Sequence, residues 1–376
     1  MSVREFDVVI VGAGIAGSSL AAELAHTCRV AVLEREDYPG YHSTGRSAAL
    51  FSEIYGNAPV RALSRASRSF FYSPPPGFTV DHLVRPRGSL YIARADQIAQ
   101  LEAFVAHEDV AGSVRPITAG EAIAACPILT PEHVSAALFE ADAADVDVDA
   151  LHQGYLRAFR ARGGTLVTNA EVEALARADS DWRIETSSGS YHAPIVVNAA
   201  GAWADSIAIK AGAASLGIQP RRRTAVLIEL PPNVSAESWP MVIDIEEAFY
   251  MKPDAGLLLI SPADETPVEA SDVQPEELDV AVAIDRVERA TTLKITRIRK
   301  RWAGLRSFAP DRSPIIGYDE QAPGFFWLAG QGGYGIQTAP AASKLAATLI
   351  RGDAIPPDLA EIDIARLSPQ RFAAMS

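Results

Sequence analysis

The chain has 376 residues, enough for two domains with sizeable cores. Apolar residues make up 48% and charged residues 22%, a balance that suits a soluble protein, and the net charge of −13 argues against non-specific nucleic-acid binding. Two cysteines, Cys28 and Cys126, are too few for a disulfide framework and read as buried thiols of a reducing compartment. The longest apolar stretches are strand-sized, and the N-terminus enters the first strand at once, so neither a transmembrane segment nor a signal peptide is expected and the protein is expected to be cytoplasmic.

The chain opens on Val8–Val11, four β-branched residues in a row, which predict a buried parallel strand. Gly12, Gly14 and Gly17 follow in G-x-G-x-x-G order, then a helix over 18–26 and a second strand, Val30–Leu33, ending in Glu34. This is the βαβ unit of a dinucleotide site. Gly12 permits the tight turn, Gly14 lets backbone approach a pyrophosphate, Gly17 lets the helix lie on the sheet, and Glu34 can accept hydrogen bonds from ribose hydroxyls. The helix N-terminus would face the phosphates. To this point NAD and FAD are equally compatible.

Pro39 and Gly40 break structure, and Ser43, Thr44, Gly45, Arg46 and Ser47 form a small polar loop expected to open a helix near Ala48. Its hydroxyls could merely cap that helix or could contact a second part of the cofactor; its place directly after the ribose-binding strand favours the second reading. Further helices are predicted over 62–71, 97–107, 150–162 (capped by Asp149), 276–289 and 339–351. Strands are predicted at 89–92, 165–168, 182–186, 195–198, 224–230, 241–244, 249–252 and 257–261.

The segments VVIVGAGIAG, LERE and PGYHSTGRSAA, followed by DVDALHQGYLRAFRARGG (147–164), VVNAAGAWAD (196–205), QPRRRTA (219–225), AFYMKPDAG (248–256), WAGLRSF (302–308) and GFFWLAGQGGYGIQTAP (324–340), resemble FAD-dependent oxidoreductases of the D-amino-acid oxidase family, and within it the D-arginine dehydrogenases. The resemblance implies FAD rather than NAD. It implies an α/β fold in which a Rossmann-like, glutathione-reductase-type FAD domain (1–80, 148–215 and 300–376) carries a discontinuous α+β substrate domain (81–147 and 216–299) on a mostly antiparallel sheet. It assigns to the cofactor Gly12, Gly14, Ile15, Ala16, Gly17, Glu34, Arg35, Ser43, Thr44, Arg46, Ser47 and Ala48. Val172, Ala200, Gly201, Trp203, Gly332, Gly333, Gly335, Ile336, Gln337 and Thr338 complete that set. Some relatives attach flavin to a cysteine late in the chain; here nothing after Cys126 is a cysteine, so non-covalent FAD is expected.

Oxidising an amino acid needs a flavin as hydride acceptor and an anchor for the carboxylate, best supplied by the planar fork of arginine. Arg223 and Arg306 stand in matching motifs, and the resemblance adds Tyr55, Tyr250 and Gly333 at the reacting centre and Leu50, Ser52, Ser89, Met241, Ile243 and Tyr334 around the substrate. Relatives that take D-arginine carry an acid where this chain has Ser89 and a histidine where it has Leu50. A cationic side chain would lack its counter-ion here unless Glu53 supplied it, so neutral D-amino acids are expected to be preferred. The expected reaction is oxidative deamination of a D-amino acid, with oxygen or an electron carrier such as a quinone as final acceptor. Oxidation of a secondary amine such as sarcosine, or of a 2-hydroxy acid, is the alternative, and a flavoprotein that only binds is disfavoured by the paired arginines and tyrosines. No Ser/His/Asp set and no metal-ligand cluster is present, and His42 and His152 need no role beyond packing or a surface hydrogen bond.

Overall fold

The computed structural model describes residues 4–107 and 109–375. A six-stranded sheet carries Val8–Val11 at its centre, in the order Thr165–Val167, Val30–Leu33, Val8–Val11, Ile195–Asn198, Phe325–Ala329, Ile315–Tyr318. All its pairings are parallel except the last. One face packs the helices Ile15–Leu24, Val148–Ala161 and Gly335–Arg351; the other packs a four-stranded sheet and the helix Ala204–Lys210. With apolar cover on both sides, the central strands are buried at every position, which is why they read as unbroken apolar runs.

A ten-stranded, mainly antiparallel sheet forms the second layer, with one parallel pairing, between Met241–Asp244 and Ser89–Ala93. Its longest strands, Gln219–Ile228 and Ile298–Phe308, pair antiparallel over most of their length and set Arg223 and Arg306 on neighbouring strands. The boundary expected at residue 300 falls inside the second of these, so that strand belongs to the large sheet. A small sheet of Leu50–Phe51, Ala144–Val146 and Val84–Pro86 lies between the layers.

Three local expectations are corrected. No helix opens near Ala48; residues 47–49 run into the strand Leu50–Phe51. Tertiary hydrogen bonds outcompete the helix: Ser43 Oγ donates to the Leu305 carbonyl, Trp302 Nε1 to the Arg46 carbonyl and Lys252 Nζ to the Ala49 carbonyl. The helix at 150–162 starts at Val148, capped by Asp147 rather than Asp149, with Asp147 Oδ1 accepting from Ala150 N at 2.8 Å. The last helix starts four residues early, at Gly335, and carries Pro340 inside it.

The glycines of the first loop are required by contact. Gly12 has φ +101°, and a Cβ there would lie 2.5 Å from the Ala199 carbonyl oxygen; a Cβ on Gly17 would lie 1.9 Å from the Gly12 carbonyl oxygen. Gly17→Ala is therefore expected to destabilise the protein by about 1–3 kcal/mol through overpacking against backbone, read as a lower urea midpoint and loss of bound yellow cofactor.

Candidate active site

Two chambers meet where the layers meet. The larger, about 250 Å³, runs from the glycine loop across the end of the parallel sheet; the smaller, about 90 Å³, has room for a small molecule but not for a dinucleotide. They share Ser47, Ala48, Arg223, Tyr250, Arg306, Gly333 and Ile336, so this is the junction between them.

Of the residues expected at the cofactor, Gly12, Gly14, Ile15, Ala16, Glu34, Arg35, Ser43, Thr44, Arg46, Ser47 and Ala48 line the larger chamber. Val172, Ala200, Gly201, Trp203, Gly332, Gly333, Gly335 and Ile336 line it as well. Gly17 does not; it packs beneath the loop. Gln337 faces the smaller chamber and Thr338 neither, its hydroxyl donating to the Tyr334 carbonyl. Two carboxylate oxygens of Glu34 accept from Ala13 N at 2.8 Å and Glu36 N at 3.0 Å, which fixes the acid at the strand end. Thr44 Oγ1 accepts from Ile15 N at 3.0 Å, so this loop caps the glycine-loop helix rather than a helix of its own. Arg35 stacks over Trp203 at 4.7 Å. Arg46 is bound to the Val273 and Ala303 carbonyls and to Asp272, which ties the loop to the large sheet. His152, read from sequence as needing no role beyond packing or a surface hydrogen bond, is buried and its Nε2 lies 2.9 Å from the Ala13 carbonyl, where it holds the glycine loop.

In the smaller chamber the structure brings together Leu50, Ser52, Tyr55, Arg223, Met241, Ile243, Tyr250, Arg306 and Gly333. Tyr334 stands one layer back, edge-on to Tyr55 at 4.9 Å between ring centroids. Ser89 is fully buried and off the wall. The two arginines differ. Arg223 Nε donates to the Asp264 carbonyl at 2.8 Å and Nη2 to Glu265 at 3.1 Å, and Glu265 is also bound by both Nη groups of Arg312. Arg306 donates to the Tyr55 hydroxyl at 3.2 Å, and no carboxylate lies within ion-pairing distance of it among the described residues. Burial opposes its charge, but the Tyr55 and Tyr250 hydroxyls, together with the more distant Glu247 carboxylate, outweigh burial and hold its pKa above the ordinary arginine value. Gly333 is a glycine for this reason: a Cβ there would lie 2.8 Å from Arg306 Nη1.

Sequence reading missed Tyr91, Glu247 and Ala263 on this wall, and Glu140 behind it. Glu247 and Ala263 hold positive φ, at 54° and 52°, a strained backbone that no sequence pattern announces. Glu140 is buried, with Ser52 Oγ donating to its two carboxylate oxygens at 2.8 and 3.0 Å and Ser89 Oγ to one at 2.7 Å. Glu53, considered as the counter-ion for a cationic substrate, is instead paired with Arg68 at 3.3 Å. Among the described residues no cluster of metal-ligating side chains occurs, and no helix is long and apolar enough to cross a membrane.

A glycine cradle at the end of a parallel sheet, opening onto a chamber with an unmatched guanidinium, is the arrangement of a flavin-dependent oxidoreductase. The chain belongs to the FAD dependent oxidoreductase (DAO) family, whose model matches residues 7–349, and FAD is its cofactor. It is similar to glycine oxidase of Geobacillus kaustophilus, 25% identical over 382 residues spanning 96% of this chain and 97% of that protein. Mouse mitochondrial dimethylglycine dehydrogenase is 28% identical over 257 residues, 63% of this chain and 29% of that protein. The fold matches that of L-proline dehydrogenase from P. horikoshii with TM-score 0.84 at 24% identity, covering both chains entirely.

Burial raises the Glu140 pKa to about 7, against two serine hydroxyls that lower it and the nearby Glu53 and Asp142 charges that raise it. A carboxyl whose folded pKa lies above its unfolded value stabilises the fold at low pH, and that contribution is lost as pH rises from the ordinary glutamate range through about 7. Glu140→Gln removes the titration. Relative to this variant, the wild type is expected to lose roughly 3 kcal/mol of stability between pH 4.5 and 8, measured by urea unfolding at each pH.

Proposed function

We propose that the protein is an FAD-dependent D-amino-acid dehydrogenase or oxidase, which converts a D-amino acid to its imino acid, then hydrolysed by water to the 2-oxo acid and ammonia. The observation that carries this reading is Arg306: a guanidinium enclosed by protein, on the wall between the two chambers, with a tyrosine hydroxyl but no carboxylate as partner. The anion it lacks is the substrate carboxylate, which its fork would take at two points. FAD supplies the two-electron acceptor.

Around that anchor each residue has a task. Arg223, held by Glu265, completes the carboxylate site. The Tyr55 and Tyr250 phenols bond carboxylate or amine, and the Gly333 carbonyl receives the amine. The N-terminus of the helix Gly335–Arg351 directs its dipole into the junction and favours negative charge gathering there. Leu50, Met241 and Ile243 offer an apolar wall that gains about 25 cal/mol per Å² of substrate carbon buried, which favours neutral side chains over cationic ones. The preference for the D enantiomer rests on the likeness of the motifs to D-arginine dehydrogenases. The free thiols of Cys28 and Cys126 suit a reducing compartment, and we place the protein in the cytoplasm.

A second reading is oxidation of a secondary or N-methylated amine, favoured by the similarity to glycine oxidase and dimethylglycine dehydrogenase. An anaerobic panel of D-amino acids, L-amino acids, glycine and sarcosine decides between the two by which of them bleaches the flavin. Bleaching by D-amino acids is expected; bleaching by glycine and sarcosine alone would establish the second reading. Arg306→Ala is expected to lose roughly 2–5 kcal/mol in kcat/KM, a factor of at least about 30, for any carboxylate substrate. Its melting temperature should not fall, because a buried charge has been removed.

The cofactor is expected to be held without a covalent bond. Acid precipitation should release all yellow colour to the supernatant; flavin that stays with the pellet would overturn this.

A further inference from the structure

The buried carboxylate behind the smaller chamber has a consequence for what the chamber accepts. Ser52 lines the chamber, and its backbone is pinned on both sides by Gln337, whose Oε1 accepts from Ser52 N at 3.3 Å and whose Nε2 donates to the Ser52 carbonyl at 3.1 Å. Its hydroxyl has one hydrogen, and both oxygens of Glu140 lie within reach of it, at 2.8 and 3.0 Å. The Ser89 hydrogen goes to the same carboxylate. Ser89 and Glu140 are direct partners across antiparallel strands, so the acid is fixed by sheet register.

We propose that Glu140 sets the hydrogen-bond polarity of the substrate pocket: by taking the Ser52 hydrogen it leaves Ser52 with lone pairs only toward the chamber, so that ionised Glu140 selects substrates whose side chain carries an N–H or O–H donor. This deepens the reading of the site as a D-amino-acid pocket and rests on it. A protonated Glu140 can itself donate to a serine, which releases the Ser52 hydrogen and removes the selection. The groups facing Glu140 are Ser89 and Tyr91 on its neighbouring strand, Ser52 and Glu53 after the strand Leu50–Phe51, Tyr72 on the helix Ala58–Tyr72, and Asp142 on its own segment. Arg68, on that same helix, contacts Glu53 and Asp142. No cation is paired with Glu140 itself among the described residues, so a donor in the chamber meets an uncompensated acid. Burial raises the Glu140 pKa to about 7, so the selection is expected to change as pH rises through neutrality.

The test compares D-lysine with D-norleucine, which share a four-carbon side chain and differ by the terminal ammonium. The α-amino group is mostly protonated in both over this range, so its titration largely cancels in the ratio of their kcat/KM values, which reports the side chain. In the holoenzyme this ratio is expected to rise about tenfold from pH 6 to pH 8.5, the size of one charge-assisted hydrogen bond. Glu140→Gln should flatten the profile, although it leaves Glu247, the acid on the wall itself, in place. The wild-type profile needs no variant and stands if Glu140→Gln fails to fold. A flat wild-type ratio, or a rise that survives in Glu140→Gln, overturns the proposal for Glu140 while bleaching by D-norleucine keeps the D-amino-acid reading. If no D-amino acid bleaches the flavin, that reading falls. Infrared titration then reads the acid directly: a protonated carboxyl band with a midpoint near neutrality, lost in Glu140→Gln, supports its role, and its absence overturns it.

Discussion

A guanidinium enclosed by protein without a carboxylate beside it is an incomplete interaction, and the substrate side of this molecule is built to keep it so. Arg306 rests on a glycine that leaves room for it, touches one phenol, and faces the chamber shared with the cofactor site. Its neighbour one strand away is treated in the opposite manner. Arg223 is bound to Glu265, which Arg312 clamps from outside while stacking on Phe308 at 3.9 Å. One guanidinium is matched by a carboxylate and the other is left without an ion pair at the chamber, which leaves a place there for an anion.

The cofactor side depends on close backbone approach. Gly12 and Gly17 are pressed against carbonyl oxygens of the neighbouring strand and of the loop itself, and the loop is braced by residues far away in sequence. Thr44 caps its helix, Glu34 holds its Ala13 N–H, and His152 holds its Ala13 carbonyl. Arg46 and Ser43 then tie the Thr44 segment to the strand that carries Arg306. The same short loop thus joins the dinucleotide cradle to the substrate sheet, which keeps the two chambers in register.

Most of the βαβ unit and the family motifs were legible because they are local. A run of four β-branched residues, a spaced set of glycines and an acid at a strand end form one pattern within about thirty residues of sequence, and they arrived where expected. Arg223 and the tyrosines of the pocket were legible only through the resemblance, whereas the apolar frame of Trp302, Leu305 and Phe308 around Arg306 was itself a local signal for burial. The absent helix at Ala48 was misread for the complementary reason: its polar residues suit a helix start, and it is the distant carbonyls of Leu305 and the side chains of Trp302 and Lys252 that draw the chain straight.

What the sequence alone determined is the class of fold and a glycine cradle for a dinucleotide, because spaced glycines between two strands follow from backbone sterics, whereas FAD in particular was legible only through the resemblance of the motifs. Which acid stands behind the substrate was decided by tertiary structure. Ser89 marks a charge missing from its own position, and one strand over, opposite it in register, Glu140 places a carboxylate against the same hydroxyl. The two residues are fifty-one apart in the chain, and only the pairing of strands brings them within a hydrogen bond.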